Sequence, residues 1–228
     1  TNTVWVGDVK YKDISGPDGV PDGVIDDYDK TNIGSPMPKF TFGWTNTFRY
    51  KNFDLSVFIN GSYGNKVYNY LSMKLTHMNS PWTNQLNAVN GRAQLVPINP
   101  NKVYEDGTMW YNDVSNVMVA NPGASIPRAT INDPNDNDRI SDRYIEDGSY
   151  IRLKNISLGY TFPKKTIDKL GLSNLRIYAN IQNLLTITGY DGYDPEIGAS
   201  TSSVNVYGLD NGRYPSPTVY SFGLNVSF

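Results

Sequence analysis

Hydrophobic residues recur at every second position in five stretches of the chain, at about 39–50, 52–63, 149–162, 175–188 and 218–228. The last is the cleanest: Tyr220, Phe222, Leu224, Val226 and Phe228 share one parity, while Val219, Ser221, Gly223, Asn225 and Ser227 share the other. A period of two predicts a strand with one oily face and one polar or small face. Phe40, Phe42, Trp44, Phe48 and Tyr50 give the first stretch the same form, interrupted by Asn46, and Phe53, Leu55, Val57, Ile59 and Tyr63 give it to the second. Only Tyr50-Lys51-Asn52 lies between them, which predicts an antiparallel hairpin. Ile156, Leu158, Tyr160 and Phe162 mark the third strand, and Leu175, Ile177, Ala179 and Ile181 the fourth. Val4–Ile14 is a weaker sixth candidate.

The length of these segments decides what kind of sheet they build. Runs of 11 to 14 residues exceed the globular mode of about 5–6 and suit strands that cross a bilayer at a tilt, which need roughly 9–11. Aromatic residues gather at the segment ends (Tyr50, Phe53, Tyr63, Tyr160, Phe162, Tyr220, Phe228), where an interfacial girdle would lie. Connections alternate between short (50–52, 163–174) and long (64–148, 189–217), the pattern of periplasmic turns and external loops. Two short helices are expected in the first long loop, around Val67–His77 and Thr83–Val96. The Asn- and Asp-rich run Ile131–Asp138 is expected to be irregular. The fold class is therefore all-β, an antiparallel transmembrane β-barrel segment with long external loops. Five or six strands fall short of the minimum of about eight for a single-chain barrel, so closure is expected from strands outside this stretch. A large soluble sandwich, whose inner faces look similarly apolar, is the competing architecture.

Composition sharpens this picture. The chain has 17 Tyr, 8 Phe and 4 Trp, yet only 18% charged residues, a mixture suited to a surface that meets lipid on one side and water on the other. No cysteine is present, which excludes a disulfide scaffold. A net charge of −2 without a basic cluster argues against nucleic acid. No apolar run approaches the roughly 20 residues of a membrane helix, and barrels do not require one.

Several ordered stretches resemble one family. They are Gly7-Asp8-Val9-Lys10-Tyr11-Lys12-Asp13 leading into Asp22-Gly23-Val24-Ile25-Asp26-Asp27-Tyr28-Asp29-Lys30, then Ile33-Gly34-Ser35-Pro36-Met37-Pro38-Lys39-Phe40, Asn52–Phe58 and Gly61–Asn65. Further on come Tyr150–Tyr160, Asn180–Leu184, Gly192-Tyr193-Asp194-Pro195-Glu196 and Phe228. This succession resembles the C-terminal part of the SusC/RagA-type TonB-dependent outer-membrane transporters. The resemblance implies the last strands of a large plugged barrel of roughly 22 strands. It implies a nutrient importer for oligosaccharides or peptides in the cell outer membrane, covered by a SusD-like lipoprotein. The remaining barrel, the plug and the segment contacting the TonB complex would lie N-terminal to Thr1.

Two sets of residues carry candidate chemistry. The acidic loop 13–30 offers Asp18, Asp22, Asp26 and Asp29 at positions 1, 5, 9 and 12 of a calcium-loop template, with Gly23 at position 6 and the Val24 carbonyl at position 7. Hard oxygens at that spacing wrap one Ca²⁺. Val20 breaks the template at position 3, and Asp13 is a possible replacement ligand; the bland alternative is an acidic turn that binds its own backbone. The loop aromatics Trp82, Trp110, Tyr111, Tyr190 and Tyr193 are candidates to stack on sugar or touch a lid protein. No catalytic residue is assigned. Asp194 with Glu196, or Glu146 with Asp147, could be drawn as an acid/base pair, but no nucleophile or phosphate motif accompanies them, and one histidine, His77, rules out most triads and zinc sites. The different-class alternative is a non-transporting surface β-domain that binds glycan and calcium.

Overall fold

A computed structural model describes residues 4–197, 199–200 and 203–228. In chain order it contains β1 (Phe40–Tyr50), β2 (Phe53–Tyr63), β3 (Lys66–Asn69), α1 (Tyr70–Thr76), β4 (Leu95–Pro97), β5 (Val117–Val119), β6 (Ile145–Asp147), β7 (Tyr150–Thr161), α2 (Lys164–Ile167), β8 (Asn174–Thr188), β9 (Ala199–Ser200), β10 (Ser203–Tyr207), β11 (Leu209–Asp210) and β12 (Val219–Ser227). The chain divides into two compact units, Gly34–Asn69 with Ile145–Phe228, and Thr1–Ile33 with Tyr70–Tyr144.

The first unit is built on a five-stranded antiparallel sheet in the order β1-β2-β7-β8-β12. Its register lines the apolar residues into rows: Val57, Ile156, Ile181 and Tyr220 form one, Leu55, Leu158, Ala179 and Phe222 the next, and Phe53, Tyr160, Ile177 and Leu224 the third. The opposite face carries Ser56, Ser157, Asn180 and Ser221 in a single row. Among the described residues of this unit, none covers the apolar face. Trp44 is 56% exposed and Phe222 84%, an uncovered oily surface far more continuous than soluble monomers show. The buried residues Val67, Ile167 and Tyr190 lie off the main strands, around β3, α2 and the loop after β8.

Two glycines allow the polar face to pack. A Cβ on Gly159 would collide with the Arg176 guanidinium, which crosses that point to reach Asp54 with Nη2 to Oδ2 at 2.6 Å. Gly223 leaves room for the Tyr178 ring in the same way. The short connections close with backbone that bends left-handed, Lys51 at φ 52° between β1 and β2 and Gly171 at φ 70° after α2.

Three sequence-based expectations are corrected. Residues 4–14 form no strand, because Gly7 turns the chain at φ 85° and the amides of Trp5, Val9 and Ile14 donate to the side chains of Asp8, Asn137 and Asp29 instead of to a ladder. The helix expected over Thr83–Val96 is a single 3-10 turn, Asn87–Gly91, followed by β4; Asn90 and Gly91 are poor helix formers, and Ala93 N–H donates to the Ile126 carbonyl. The helix expected from Val67 begins only at Tyr70, since Lys66–Asn69 pairs with β6 and β11.

The polar run after Ile131 is irregular, as expected, but it is folded inward. Asn135 and Asn137 are 1% and 2% exposed. Asn135 Nδ2 donates to the Val9 carbonyl at 2.9 Å, and Asn137 Nδ2 donates to Asp133 Oδ1 at 2.6 Å. Short amide side chains can replace a backbone ladder as hydrogen-bond partners.

Candidate functional site

The polar face of the sheet and the loop clamped to it form the site of the first unit. Its construction begins with a bulge in β7. Asn155 pairs with Phe58 and Leu153 with Ile59, so Lys154 has no opposite number. One extra residue inverts the parity of the strand. Below the bulge the even residues Ile156, Leu158 and Tyr160 are on the apolar side. Above it the odd residues Ile151 and Leu153 take that side, and Arg152 turns to the polar one, opposite Asn60.

Arg152 is 3% exposed and every arm of its guanidinium is used. Nε donates to Thr186 Oγ1 at 2.8 Å, Nη1 to Glu196 Oε2 at 2.7 Å and Nη2 to Asp194 Oδ1 at 2.5 Å. Lys154 reaches the same Glu196 oxygen at 2.9 Å. Asp194 also accepts from the amides of Glu196 and Ser216 at 2.9 Å each. Burial pushes the Asp194 carboxyl up, but the Ser216 amide and the Arg152 guanidinium outweigh it and hold it down to about 2. The arrangement is a clamp that fastens the loop after β8 onto the strand face. Asp194 and Glu196 are thus ion-pair partners of Arg152, with no free carboxyl pair for acid/base work.

A second pin lies in the same loop. Asp210, 1% exposed, accepts the Tyr190 hydroxyl at 2.5 Å and the amides of Gly212 and Arg213 at 2.9 and 3.2 Å. Burial and the neighbouring Asp210 carboxylate push the Tyr190 hydroxyl well above its ordinary range. The expectation that Tyr190 offers its ring to a ligand is therefore corrected, since its ring is buried and its hydroxyl committed. Tyr193, by contrast, is exposed.

In the second unit, Trp82 is 91% exposed, whereas Trp110 is half-buried with its ring edge-on to Tyr111 at 5.7 Å. The acidic loop has wrapped its own backbone. Asp29 accepts from the amides of Ile14, Ser15 and Asp26, and these bonds hold its carboxyl below the usual carboxylate range. Asp26 caps the 3-10 turn Asp27–Asp29, Asp22 Oδ1 accepts from the Val24 amide at 2.9 Å, and Asp18 is exposed. One oxygen stands apart: Asp13 Oδ1 is buried without a hydrogen-bond partner, while its Oδ2 accepts from Gly23 N–H at 2.6 Å. Asp22 Oδ2 and the Val20 carbonyl both crowd Gly16, where an added Cβ would meet them at 2.8 and 2.9 Å.

Sequence reasoning missed His77. Its Nε2 lies 2.8 Å from Asp133 Oδ2 and its Nδ1 3.2 Å from Asp138 Oδ2, the one group of three metal-ligating side chains within 4.8 Å among the described residues. Each ring nitrogen has its own carboxylate, so the group acts as a lock between the end of α1 and the polar run. A separation of 56 residues left no local signal for it. The clamp had one: charged Arg152 and Lys154 inside an amphipathic strand.

No protein-family model matches the chain. It is 36% identical over 211 residues to the TonB-dependent receptor P3 of Formosa agariphila, covering 90% of this chain and 18% of the relative. It is 29% identical over 209 residues to the TonB-dependent receptor SusC of Bacteroides thetaiotaomicron, covering 90% of this chain and 17% of that one. The structure superposes on the RagAB peptide importer in its closed-closed state with a TM-score of 0.63 at 19% identity, over 93% of this chain and 20% of that one. The chain thus spans about a fifth of the length of the curated relatives it matches.

Proposed function

Because this chain is a segment of SusC/RagA-type TonB-dependent receptor sequence, we propose that it forms part of the wall of an outer-membrane importer. The observation that carries this is the sheet itself: five antiparallel strands of 9 to 15 residues, apolar and uncovered on one face, polar on the other. The apolar face meets lipid, and the polar face, with Arg152 and its clamped loop, faces the lumen. β1 and β12 are edges of this sheet among the described residues. Unpaired strand edges are not tolerated in hydrocarbon, so both pair with further strands of the same receptor, which close the barrel around a plug. The short turns lie in the periplasm and the long loops outside, where a SusD-like lipoprotein covers the mouth and presents oligosaccharide or peptide. Uptake draws energy from the TonB complex through other parts of the receptor, and the chain performs no catalysis. The full-length receptor should fractionate with the outer membrane, need detergent for extraction, migrate differently on gels with and without boiling, and bring its lipoprotein through purification. A full receptor that stays in solution without detergent would sink the reading and favour a surface β-domain.

We also propose that the acidic loop takes Ca²⁺, through a smaller ligand set than the sequence template gives. Asp26 and Asp29 are spent on capping, which leaves the unpartnered Asp13 oxygen, Asp22 and the Val20 carbonyl. The partnerless buried oxygen supports this, since a buried carboxylate oxygen without a donor is costly. Millimolar Ca²⁺ should slow proteolysis within residues 13–30, and Asp13→Asn with Asp22→Asn should abolish the protection. Protection that survives both substitutions leaves only a self-bonded turn.

A further inference from the structure

The outward face of the sheet is not evenly filled. In the row formed by Leu55, Leu158, Ala179 and Phe222, the third position carries a methyl group where its neighbours carry large side chains. The rows on either side have Ile181 and Ile177 at the same strand. Ala179 therefore floors a hollow of about 560 Å³ whose walls include Phe53, Leu158, Tyr160, Ile177, Phe222 and Leu224. Its aromatic wall is braced: the Phe53 and Tyr160 rings sit 4.7 Å apart, and Phe162 meets Tyr160 edge-on at 5.0 Å. The volume falls within the range of about 300–1,000 Å³ typical of ligand sites.

The hollow lies toward one end of the strands, the end closed by the short turns. Phe53 follows the β1–β2 turn directly, and Tyr160 precedes α2 by four residues. Those turns are basic. Lys51, Lys164, Lys165 and Lys169 are all exposed and in no ion pair among the described residues, and the turns that carry them hold one carboxylate, Asp168. Lys51 Nζ lies over the Tyr50 ring at 5.3 Å. The other charges at this end, Asp54 and Arg176, are paired with each other on the polar face, and Arg49 pairs in register with Asp54.

We propose that this hollow seats an acyl chain of an anionic phospholipid whose headgroup is held by the lysines of the short turns. The inference rests on the membrane reading above. An apolar notch without charge above it would take any acyl chain, whereas four unpaired lysines at the interface select a negative headgroup. With the short turns in the periplasm, the lipid belongs to the inner leaflet, where phospholipids rather than lipopolysaccharide reside.

The test uses the full-length receptor released from detergent micelles in native mass spectrometry, titrated with phosphatidylglycerol or with phosphatidylethanolamine of the same chains. Wild type should retain one phosphatidylglycerol in preference to phosphatidylethanolamine. Lys164→Gln with Lys165→Gln should weaken phosphatidylglycerol roughly 25-fold, about five-fold per lysine, and leave phosphatidylethanolamine unchanged. Ala179→Phe, which fills the notch, should abolish retention of both; if it fails the boiled-versus-unboiled gel test for folding, the lysine variant decides alone. Equal retention of the two lipids by wild type, or an undiminished preference in the lysine variant, overturns the proposal. A receptor soluble without detergent overturns the membrane reading itself, before any lipid is added.

Discussion

Replacing Arg152 by Met should release the loop after β8 from the sheet, and proteolytic cleavage within residues 189–217 of the full receptor should accelerate by about two to three and a half decades. Removing one partner of a buried ion pair costs about 3–5 kcal/mol, because the other charge stays behind without compensation. At about 1.4 kcal/mol per decade, that cost corresponds to two to three and a half decades in the population of the detached loop. Here two carboxylates would be stranded, of which Asp194 is nearly inaccessible, with 7% of its side chain exposed, and Glu196, at 38%, retains Lys154. Glu196→Gln should therefore have a much smaller effect than Arg152→Met. The pH dependence has a fixed sign. Asp194 is held down to about 2 in the folded loop, against about 3.9 in an unfolded chain. Its contribution is fully present above about pH 4 and is lost as pH falls toward 2. Protection should stay level from neutrality to about pH 5 and decay below pH 4. Without Arg152 the folded-state value rises toward the unfolded one, so the loss of protection between about pH 4 and 2 should shrink. A loop that resists protease equally in both proteins would show that the clamp does not hold it.

The strands were legible because apolar residues recur at every second position along most of each, and the pairings of β1 with β2 and of β7 with β8 follow from two short turns. What the alternation hid was the bulge at Lys154. Two segments of opposite parity joined by one unpaired residue read as a single noisier strand, with Ile151 and Leu153 off the parity of Ile156, Leu158 and Tyr160. The connections were less legible for a different reason. Val4–Ile14 has acceptable strand composition, but its amides find nearer acceptors in Asp8 and Asp29 and a distant one in Asn137, 128 residues away. The run after Ile131 looks solvated by composition and is buried because asparagine side chains satisfy one another.

The same accounting separates the aromatic candidates. Tyr190 and Tyr193 are three residues apart with similar surroundings in sequence, yet one is sealed against Asp210 and the other is 71% exposed. The determinant is Asp210, a residue that no local pattern connects to Tyr190. Ligand-facing aromatics in polar loops are therefore decided by pairings at long range, whereas strand faces are decided by neighbours two residues away.

Lysine scanning along β8 should give a cost that depends on depth, and only a bilayer produces that dependence. Ile181 lies at the middle of Asn174–Thr188, and Ile177 on the same face is four residues nearer the short turn, about 13 Å along the strand. A lysine at the midplane of a transmembrane strand costs about 2–4 kcal/mol, falling to about 0–1 near the interface. Ile181→Lys should therefore lower the stability of the full receptor in lipid vesicles by about 2–4 kcal/mol in denaturant unfolding, and Ile177→Lys by about 1 or less, because its ammonium can reach the headgroups. Ser221→Lys, on the polar face opposite Asn180, should change stability by no more than about 0.5 kcal/mol, as surface substitutions do. A soluble sandwich would bury Ile177 and Ile181 in one core and penalise both lysines alike. Equal losses at the two isoleucines would therefore count against lipid on this face, and a gradient from Ile181 to Ile177 requires it.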